Sequence, residues 1–321
     1  MVEESDGVFH GSVKEFTIPK LEEGKVLIRV HNSSLNFKDA LAASGAKGVV
    51  KSYPFVPGID VAGEVIESSS SKFIKGDNVI ATGYKIGMAE NGGFGEVVHL
   101  PEKWVLKSPT NLSHYNAMSY GTAGITAAAC VKKIVDGDVT ADLPVLVSGA
   151  TGGVGSIAIG LLSKLGFEVD AITGKETEIN ILNKMGASKI ISRKKYMSEP
   201  IKPLDKAIYS AAVDTVGGEM LSKIISMISP QGVVSCCGNV GGIKFTSSVF
   251  PFILRGIQLS GIDSAESSLS LKTELWNLLA SQWSLDLTHQ TKTVKIDNIG
   301  NEVNKILAGD QIGRVVIQHG E

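Results

Sequence analysis

A glycine-rich turn between an apolar strand and an apolar helix places the strongest constraint on how this chain folds. The run Leu-Pro-Val-Leu-Val-Ser at 143–148 predicts a buried strand, Gly-Ala-Thr-Gly-Gly-Val-Gly at 149–155 a tight turn, and the segment at 156–166 a helix. From there to residue 238, strand-like and helix-like segments alternate. This alternation is typical of a parallel sheet with helices on both faces, so we expect a doubly wound α/β domain.

The turn can bind a pyrophosphate, although Ala150 stands where the usual G-x-G-x-x-G has its first glycine. Gly152 lets the backbone approach phosphates closely, and Gly155 lets the helix pack tightly on the strand. Phosphates are favoured at a helix N-terminus by its free N–H groups and its dipole. Tight turns also need glycine for steric reasons alone, so the evidence lies in the turn together with the alternation. The expected cofactor contacts in the turn are Thr151, Gly152, Gly153 and Val154.

The next strand favours NADP(H) over NAD. An NAD site usually carries a carboxylate about 20 residues after the glycines, but here the strand ends in Thr173-Gly174-Lys175. A hydroxyl and an ammonium suit a 2′-phosphate, because both donate hydrogen bonds to an anion. Arg193 is expected to reach the same phosphate or to stack on the adenine. The alternative is that Lys175 and Arg193 are solvated surface charges.

Composition narrows the class of protein. The 321 residues favour two domains, and a formal net charge of −2 argues against nucleic acid or an anionic membrane as the main partner. No uncharged apolar run approaches the roughly 18 residues that span a bilayer. The acidic N-terminus lacks the features of a signal peptide. The three cysteines form no C-x-x-C pair, so neither a disulfide framework nor a cysteine zinc site is expected. These features favour a cytoplasmic enzyme.

Three segments are expected along the chain. Residues 1–117 are β-rich with glycine turns, residues 118–255 carry the strand–helix alternation, and residues 256–321 supply an edge strand and a C-terminal return to the first domain. The nucleotide-type domain is therefore inserted into a β domain.

Several longer stretches resemble one branch of a known superfamily. NFKDALAASG, VPGIDVAGEV, NGGFGEVVHLPEKWVLKSP, SYGTAGITAAACV, SCCGNVGG and PFILRGIQLSGIDS are similar to the zinc-free quinone oxidoreductases of the medium-chain dehydrogenase/reductase superfamily, and within them to the acrylyl-CoA reductase group. The resemblance implies a Rossmann sheet inserted in a GroES-like β-barrel catalytic domain. Its one departure is the family's short first strand, which we expect to be missing or cut short.

The resemblance also implies the absence of a metal. Zinc-dependent relatives hold the metal with a cysteine and a Gly-His-Glu motif, and the matching stretches here are Asn36-Phe37-Lys38-Asp39 and Pro57-Gly58-Ile59-Asp60. Neither stretch offers a thiolate or an imidazole ligand. No metal site is expected.

The implied reaction is the transfer of a hydride from NADPH to the activated C=C bond of an enoyl thioester, or to a quinone. By matched position, Asn36, Lys38 and Asp39 line the catalytic cleft, with Lys38 as an electrostatic stabiliser. The remaining implied cofactor contacts are Thr122, Thr126, Asp214, Gly238, Asn239, Asp263, Ser264 and Arg314, the last on the pyrophosphate. Six of these residues have a structural alternative: a turn for Asn36 and Asp214, a surface ion pair for Lys38 and Asp39, and helix packing for the two threonines.

The sequence excludes or disfavours some other functions and leaves two of them open. A tyrosine-based reductase of the short-chain type is excluded, since no tyrosine is followed by lysine four positions later. Covalent catalysis by Cys236 or Cys237 is disfavoured because no histidine partner is apparent. A reductase of free enones or aldehydes, and a non-catalytic NADPH-binding sensor, stay open. The apolar run Arg-Gly-Ile-Gln-Leu-Ser-Gly-Ile at 255–262 is expected to pair with its twin in a homodimer.

Overall fold

The computed structural model describes residues 1–18 and 20–320. The chain folds into two compact units, the first unit comprising Met1–Thr122 with Ala265–Glu321 and the second unit Ala123–Ser264. The boundaries expected after residues 117 and 255 fall a few residues before those of the compact units. The strand that follows residue 256 consequently belongs to the second unit.

The strands of the described residues are β1 (Val2–Ser5), β2 (Val8–Gly11), β3 (Lys25–Ser34), β4 (Asp60–Ser68), β5 (Asn78–Thr82), β6 (Val97–Pro101), β7 (Leu106–Lys107), β8 (Val145–Val147), β9 (Val169–Thr173), β10 (Lys189–Ser192), β11 (Tyr209–Asp214), β12 (Ile228–Cys236), β13 (Gln258–Gly261), β14 (Thr291–Lys295) and β15 (Arg314–Gln318). The helices are α1 (Phe37–Ala43), α2 (His114–Asp136), α3 (Gly153–Lys164), α4 (Ile179–Lys184), α5 (Arg193–Ser198), α6 (Gly218–Ser226), α7 (Phe250–Arg255), α8 (Leu269–Leu279) and α9 (Ile299–Leu307).

The second unit is built on a six-stranded sheet in the order β10-β9-β8-β11-β12-β13, and every pair in it is parallel. The strand order reverses between β8 and β11. Ligands of doubly wound sheets bind outside the carboxyl ends of the strands at such a point. The apolar strands are buried on both faces, as continuous Val, Ile and Ala runs predict. The expected Rossmann fold is confirmed.

The first unit contains a seven-stranded sheet in the order β14-β15-β3-β4-β5-β7, with β6 also paired to β3. Its core holds alternate apolar residues of β3, β4, β5 and β6. The strand β15, near the end of the chain, lies antiparallel beside β3, which explains the expected C-terminal return to the β domain.

Strand β1 begins at Val2, at the place where we expected the family's first strand to be missing or cut short. Strand β1 pairs antiparallel with β2, and Val2 forms a bridge with Phe55. Val2 is buried against Ala42 and Phe55, and Phe9 packs beside them. This small apolar cluster gives the hairpin a surface to pack on, although its own sequence is mostly polar.

Helix α2 starts earlier than its small-residue stretch suggested and is interrupted at Gly121, which has φ 53° and ψ −154°. A Cβ atom at Gly121 would lie 2.3 Å from Ser34 Oγ and 2.5 Å from Asp60 Oδ2, so only glycine fits there. Among the described residues, no helix combines the length and the apolarity needed to cross a membrane.

Candidate functional site

The glycine turn joins β8 to the first residue of α3. Gly149 has φ 59°, and the Gly152 N–H donates to the Gly149 carbonyl at 3.0 Å. A Cβ atom at Gly155 would lie 2.4 Å from that carbonyl oxygen, whereas one at Gly152 would lie 3.3 Å from it. Gly155 therefore allows the helix to pack closely, and a Cβ atom at Gly152 would meet a milder, though still tight, contact at the helix N-terminus.

At the end of β9, the structure brings together the residues expected to select the nucleotide. The backbone N–H of Lys175 donates to Thr173 Oγ1 at 2.9 Å, and Thr173 Oγ1 lies 3.4 Å from Thr151 Oγ1. The Arg193 guanidinium lies over Gly174, where a Cβ atom would come within 2.8 Å of it. Four residues therefore lie together here and carry hydroxyl groups and positive charge. We call this surface the tip cluster; its members are Thr151, Thr173, Lys175 and Arg193.

The carboxylate that lies within β9 is paired with a lysine of the neighbouring strand β10. Asp170 is buried within β9, its carboxylate lies 3.9 Å from the Lys189 ammonium, and burial raises its pKa. The tip itself thus carries donors and positive charge, which suits a phosphate monoester.

At the carboxyl edge of the sheet, Asp214 is occupied by its own turn. It accepts hydrogen bonds from Ser148 Oγ at 2.6 Å and from the N–H groups of Val216 and Gly217 at 3.2 and 2.8 Å, while burial raises its pKa. The turn-forming role considered from sequence therefore describes this geometry, and the expected cofactor contact of Asp214 stays a prediction.

Other expected contacts of the second unit lie at chain segments after strands. Gly238 follows β12 so tightly that a Cβ atom would come 1.8 Å from the Thr215 carbonyl oxygen. Asn239 and Asp263 are exposed. Thr126 Oγ1 and Ser264 Oγ are 2.6 Å apart, which joins α2 to the end of the unit.

The first unit contains a buried polar cluster centred on Asp60. Its Oδ2 accepts from Ser34 Oγ at 2.5 Å, from Asn36 Nδ2 at 2.7 Å and from the Thr122 N–H at 2.8 Å. Its Oδ1 accepts from the Thr122 hydroxyl at 2.5 Å. A fully buried carboxylate is stabilised by such a set of donors, and the donors are held in place in return.

The expected catalytic residues begin helix α1. Asn36 precedes it, and its backbone N–H donates to Asp39 Oδ2 at 2.8 Å. Asp39 Oδ1 accepts from the Ile59 N–H at 2.8 Å. Burial, followed by the charge of Asp60, raises the pKa of Asp39 to about 7. Lys38 is half-buried and has no hydrogen-bond or ion-pair partner in the described part of the chain.

Arg314 lies within the buried polar cluster of the first unit. It is fully buried and donates to Ser34 Oγ at 2.9 Å, to Asn36 Oδ1 at 3.3 Å and to the carbonyl oxygens of Leu35 and Ser119 at 3.2 Å. These bonds hold the guanidinium inside the first unit, and its expected contact with a pyrophosphate stays a prediction. Arg314 places its positive charge close to the buried Asp39 and Asp60. Burial lowers the pKa of Arg314, and these two carboxyl groups raise it.

Sequence reasoning missed Asp60 and Ser34 as members of this cluster. In the sequence, Asp60 was notable only as part of the segment 57–60, which offers no thiolate or imidazole ligand. The available signal was a lone carboxylate at the start of the apolar run Asp-Val-Ala-Gly at 60–63, because an unpaired charge is rarely buried. Among the described residues, no group of three or more His, Cys, Asp and Glu side chains is arranged to hold a metal.

Comparison with known proteins first defines the class. The alcohol dehydrogenase GroES-like domain matches residues 22–110, and the zinc-binding dehydrogenase domain matches residues 153–281. These two matches correspond to parts of the first unit and of the Rossmann sheet, which is the domain pair of the medium-chain dehydrogenases.

Whole-length relatives narrow the class. The chain is 38% identical over 309 residues to the quinone oxidoreductase YhfP of Bacillus subtilis, covering 95% of this chain and 94% of the relative. It is 35% identical over 317 residues to the acrylyl-CoA reductase AcuI of Ruegeria pomeroyi, covering 98% and 96%. The chain therefore belongs to the quinone oxidoreductase and acrylyl-CoA reductase group of the medium-chain dehydrogenase/reductase superfamily, a family of oxidoreductases.

Solved structures of this group match the fold along its whole length. Escherichia coli K-12 YhdH with bound NADPH has a TM-score of 0.94 at 35% identity, covering 99% of this chain and 98% of that one. Bacillus subtilis YhfP with bound NAD has a TM-score of 0.95 at 37% identity, with the same coverage.

Proposed function

We propose that this protein is an NADPH-dependent reductase of activated C=C bonds in enoyl thioesters, with quinones as a second class of acceptor. The tip cluster is the observation that carries the proposal: Thr173, Lys175 and Arg193 offer donors and positive charge where an NAD enzyme offers a carboxylate. The relatives AcuI and YhfP, named for these two acceptors, support both substrate classes.

The second unit would hold the cofactor through two features. The N-terminus of α3, freed by Gly152, would take the pyrophosphate, and the tip cluster would take the 2′-phosphate. NADPH, when bound, supplies the hydride; the protein orients it and excludes competing reactions.

The first unit would stabilise the negative charge that develops on the substrate carbonyl oxygen. Lys38 is suited to this because it is half-buried and unpaired in the described chain, whereas the amide of Asn36 is engaged by Asp60 and Arg314. Asn36 and Asp39 would then position Lys38 at the start of α1 rather than act on the substrate. A preorganised positive charge of this kind replaces the metal of the zinc-dependent relatives.

The test compares initial rates of NADPH and NADH oxidation with acrylyl-CoA, with a benzoquinone and with a free enone. We expect turnover with NADPH and at least one of the first two acceptors, and much weaker use of NADH. A protein that binds NADPH without oxidising it in the presence of any acceptor would instead be a sensor, and the proposal would fail. Activity confined to the free enone would reassign the substrate class.

We further infer a homodimer formed through β13. This strand lies at the edge of the sheet, and the neighbouring α7 carries Ile253 and Leu254, which are 69% and 63% exposed. Exposed apolar side chains beside an unpaired strand edge suit burial against a second copy. A cytoplasmic location is part of the same proposal, and the three free thiols suit a reducing compartment.

A further inference from the structure

The adjacent cysteines at the end of β12 face opposite sides of the sheet. Successive strand side chains alternate between the two faces. Cys236 packs with Val234 in the apolar cluster that contains Met220 and Ile224 of α6. Cys237, one residue on, is directed to the other face and is half-buried.

Helix α2 lies along that other face. Ser235 Oγ donates to the Cys130 carbonyl at 3.0 Å, and a Cβ atom at Gly137 would lie 2.8 Å from a methyl group of Val233. Val233, Ser235 and Cys237 follow the two-residue period of the strand, so Cys237 meets α2 near Cys130.

The two thiols are neighbours on this face of the sheet, because the Cys130 backbone contacts Ser235, two residues before Cys237. Cys130 is completely buried, and a hydrogen bond with the Cys237 thiol, followed by burial, raises its pKa. Cys237 Sγ also lies 3.6 Å from the Asp214 carbonyl oxygen. Cys237 is thus the member of the pair that a reagent can reach, and Cys130 is the thiol directly behind it.

We propose that Cys130 and Cys237 form an oxidisable dithiol that closes to a disulfide when the protein meets a hydroperoxide. The Cys237 sulfur attacks one peroxide oxygen, the O–O bond breaks, and a sulfenic acid and an alcohol or water result. The Cys130 sulfur then attacks the sulfenic sulfur, and an S–S bond forms. The hydroxyl group of the sulfenic acid leaves as water with the Cys130 thiol proton. Two thiols are oxidised by two electrons and one peroxide is reduced.

Closure of the disulfide acts on the loop that follows β12. A disulfide brings its sulfurs to about 2 Å, well inside the contact distance of two thiols. The Cys237 N–H is bonded to the Asp214 carbonyl at 3.0 Å, and Gly238 has no space beside Thr215. The segment after β12, which carries the expected nicotinamide contacts Gly238 and Asn239, must therefore shift when the bond closes.

Peptide mapping by mass spectrometry under non-reducing conditions tests the dithiol directly. The full chain is treated with hydrogen peroxide, beside the variants C130S, C237S and C236S. We expect a Cys130–Cys237 link in the wild type and in C236S, a mass loss of two hydrogens, and full reversal by dithiothreitol. Neither C130S nor C237S should form the link. Thermal unfolding of the reduced variants verifies that each one folds.

A link through Cys236, or oxidation of Cys237 to a sulfinic acid without any link, would overturn the dithiol. Titration of NADPH into the oxidised and reduced protein tests the coupling. We expect the NADPH dissociation constant to rise about tenfold on oxidation in the wild type and C236S only. An unchanged constant in protein that carries the link would overturn the coupling. Because the link is detected without turnover, failure of the proposed reaction would leave this test intact.

Discussion

Asp60 holds Thr122 through both carboxylate oxygens, with Oδ2 accepting from the backbone N–H at 2.8 Å and Oδ1 from the hydroxyl at 2.5 Å. Thr122 is the last residue of the first unit before the chain enters the second. The completely buried Asp60 carboxylate therefore holds the backbone at the residue where the first unit ends.

Replacing Asp60 by asparagine should impair both stability and turnover. The amide turns an acceptor into a donor that faces Thr122, Asn36 or Ser34, and a buried unsatisfied group of this kind costs about 1–3 kcal/mol. We expect kcat for NADPH oxidation to fall about tenfold, as misplacement of site residues commonly does. The variant S34A, which removes one donor to the same carboxylate, is the matched control and should retain most activity. Equal kinetics in D60N and wild type would contradict the positioning role.

The contact can be tested from its other side as well. T122S keeps the hydroxyl that donates to Asp60 and should behave like the wild type, whereas T122V is isosteric and lacks it. We expect only T122V to lose activity. Similar kinetics in the two variants would show that the hydroxyl is dispensable.

The tip cluster should decide the choice of cofactor. Removing the guanidinium in R193A should raise the KM for NADPH about tenfold to a hundredfold, the range of one charge-assisted hydrogen bond, and leave the KM for NADH unchanged. Lys194, the next residue of α5, is also exposed, and K194A serves as the control. A parallel rise in both KM values would show that Arg193 does not contact the 2′-phosphate.

The two glycines that matter in the turn should respond differently to alanine. G155A places a Cβ atom 2.4 Å from a backbone oxygen, so we expect it to lower stability by about 1–3 kcal/mol. G152A meets its nearest atom only at 3.3 Å, so it should fold but bind NADPH more weakly. Chemical unfolding and NADPH titration of both variants separate the two effects. Equal stability losses would contradict the assignment.

Asp39 should make stability depend on pH in a predictable direction. Its folded-state pKa of about 7 lies above the ordinary value of 3.8, so the folded chain keeps the proton that the unfolded chain releases. The stabilisation is full below about pH 4 and is lost as pH rises to about 7, by up to about 1.4 kcal/mol per unit.

The D39N variant isolates this effect. Half-buried His99, His114 and His319 have lowered pKa values and act in the opposite direction, but they titrate alike in both proteins and cancel in the difference. The free energy of unfolding of wild type minus D39N, measured by urea titration, should therefore fall between pH 4 and 7 and level off above. Parallel curves would show that Asp39 stays ionised in the folded protein.

The proposed dimer depends on the apolar side chains beside β13. I253D places a charge on α7 and should shift the mass measured by light scattering from dimer to monomer. Ile74, 68% exposed and in the first unit, is similar in exposure, and I74D should leave the mass unchanged. A monomeric wild type would contradict the interface outright.

Local pattern was sufficient for the fold. The strand–turn–helix at 143–166, the alternation that follows and the return strand at Arg314–Gln318 were all predictable, because each depends on the periodicity of neighbouring residues. The same holds for the tip cluster, whose members lie at the ends of three adjacent parallel strands and so meet at one sheet edge. The absence of a carboxylate at Thr173–Lys175 is likewise evident from the sequence alone.

Only the tertiary structure decided where the isolated charges and thiols lie. The resemblance implied a phosphate contact for Arg314, and the structure adds that residues 34, 36 and 60, more than 250 positions earlier in the chain, lie around its guanidinium. In the sequence, Asp60 was notable only because its segment lacks the metal ligand of zinc-dependent relatives. In the fold, it is the centre of a buried hydrogen-bond network. Cys237 lies on the face that Cys130 occupies, opposite its neighbour Cys236, because the pleat directs adjacent side chains to opposite faces. Local sequence determines backbone conformation, but the partner of a buried polar group is set by which distant segments pack around it.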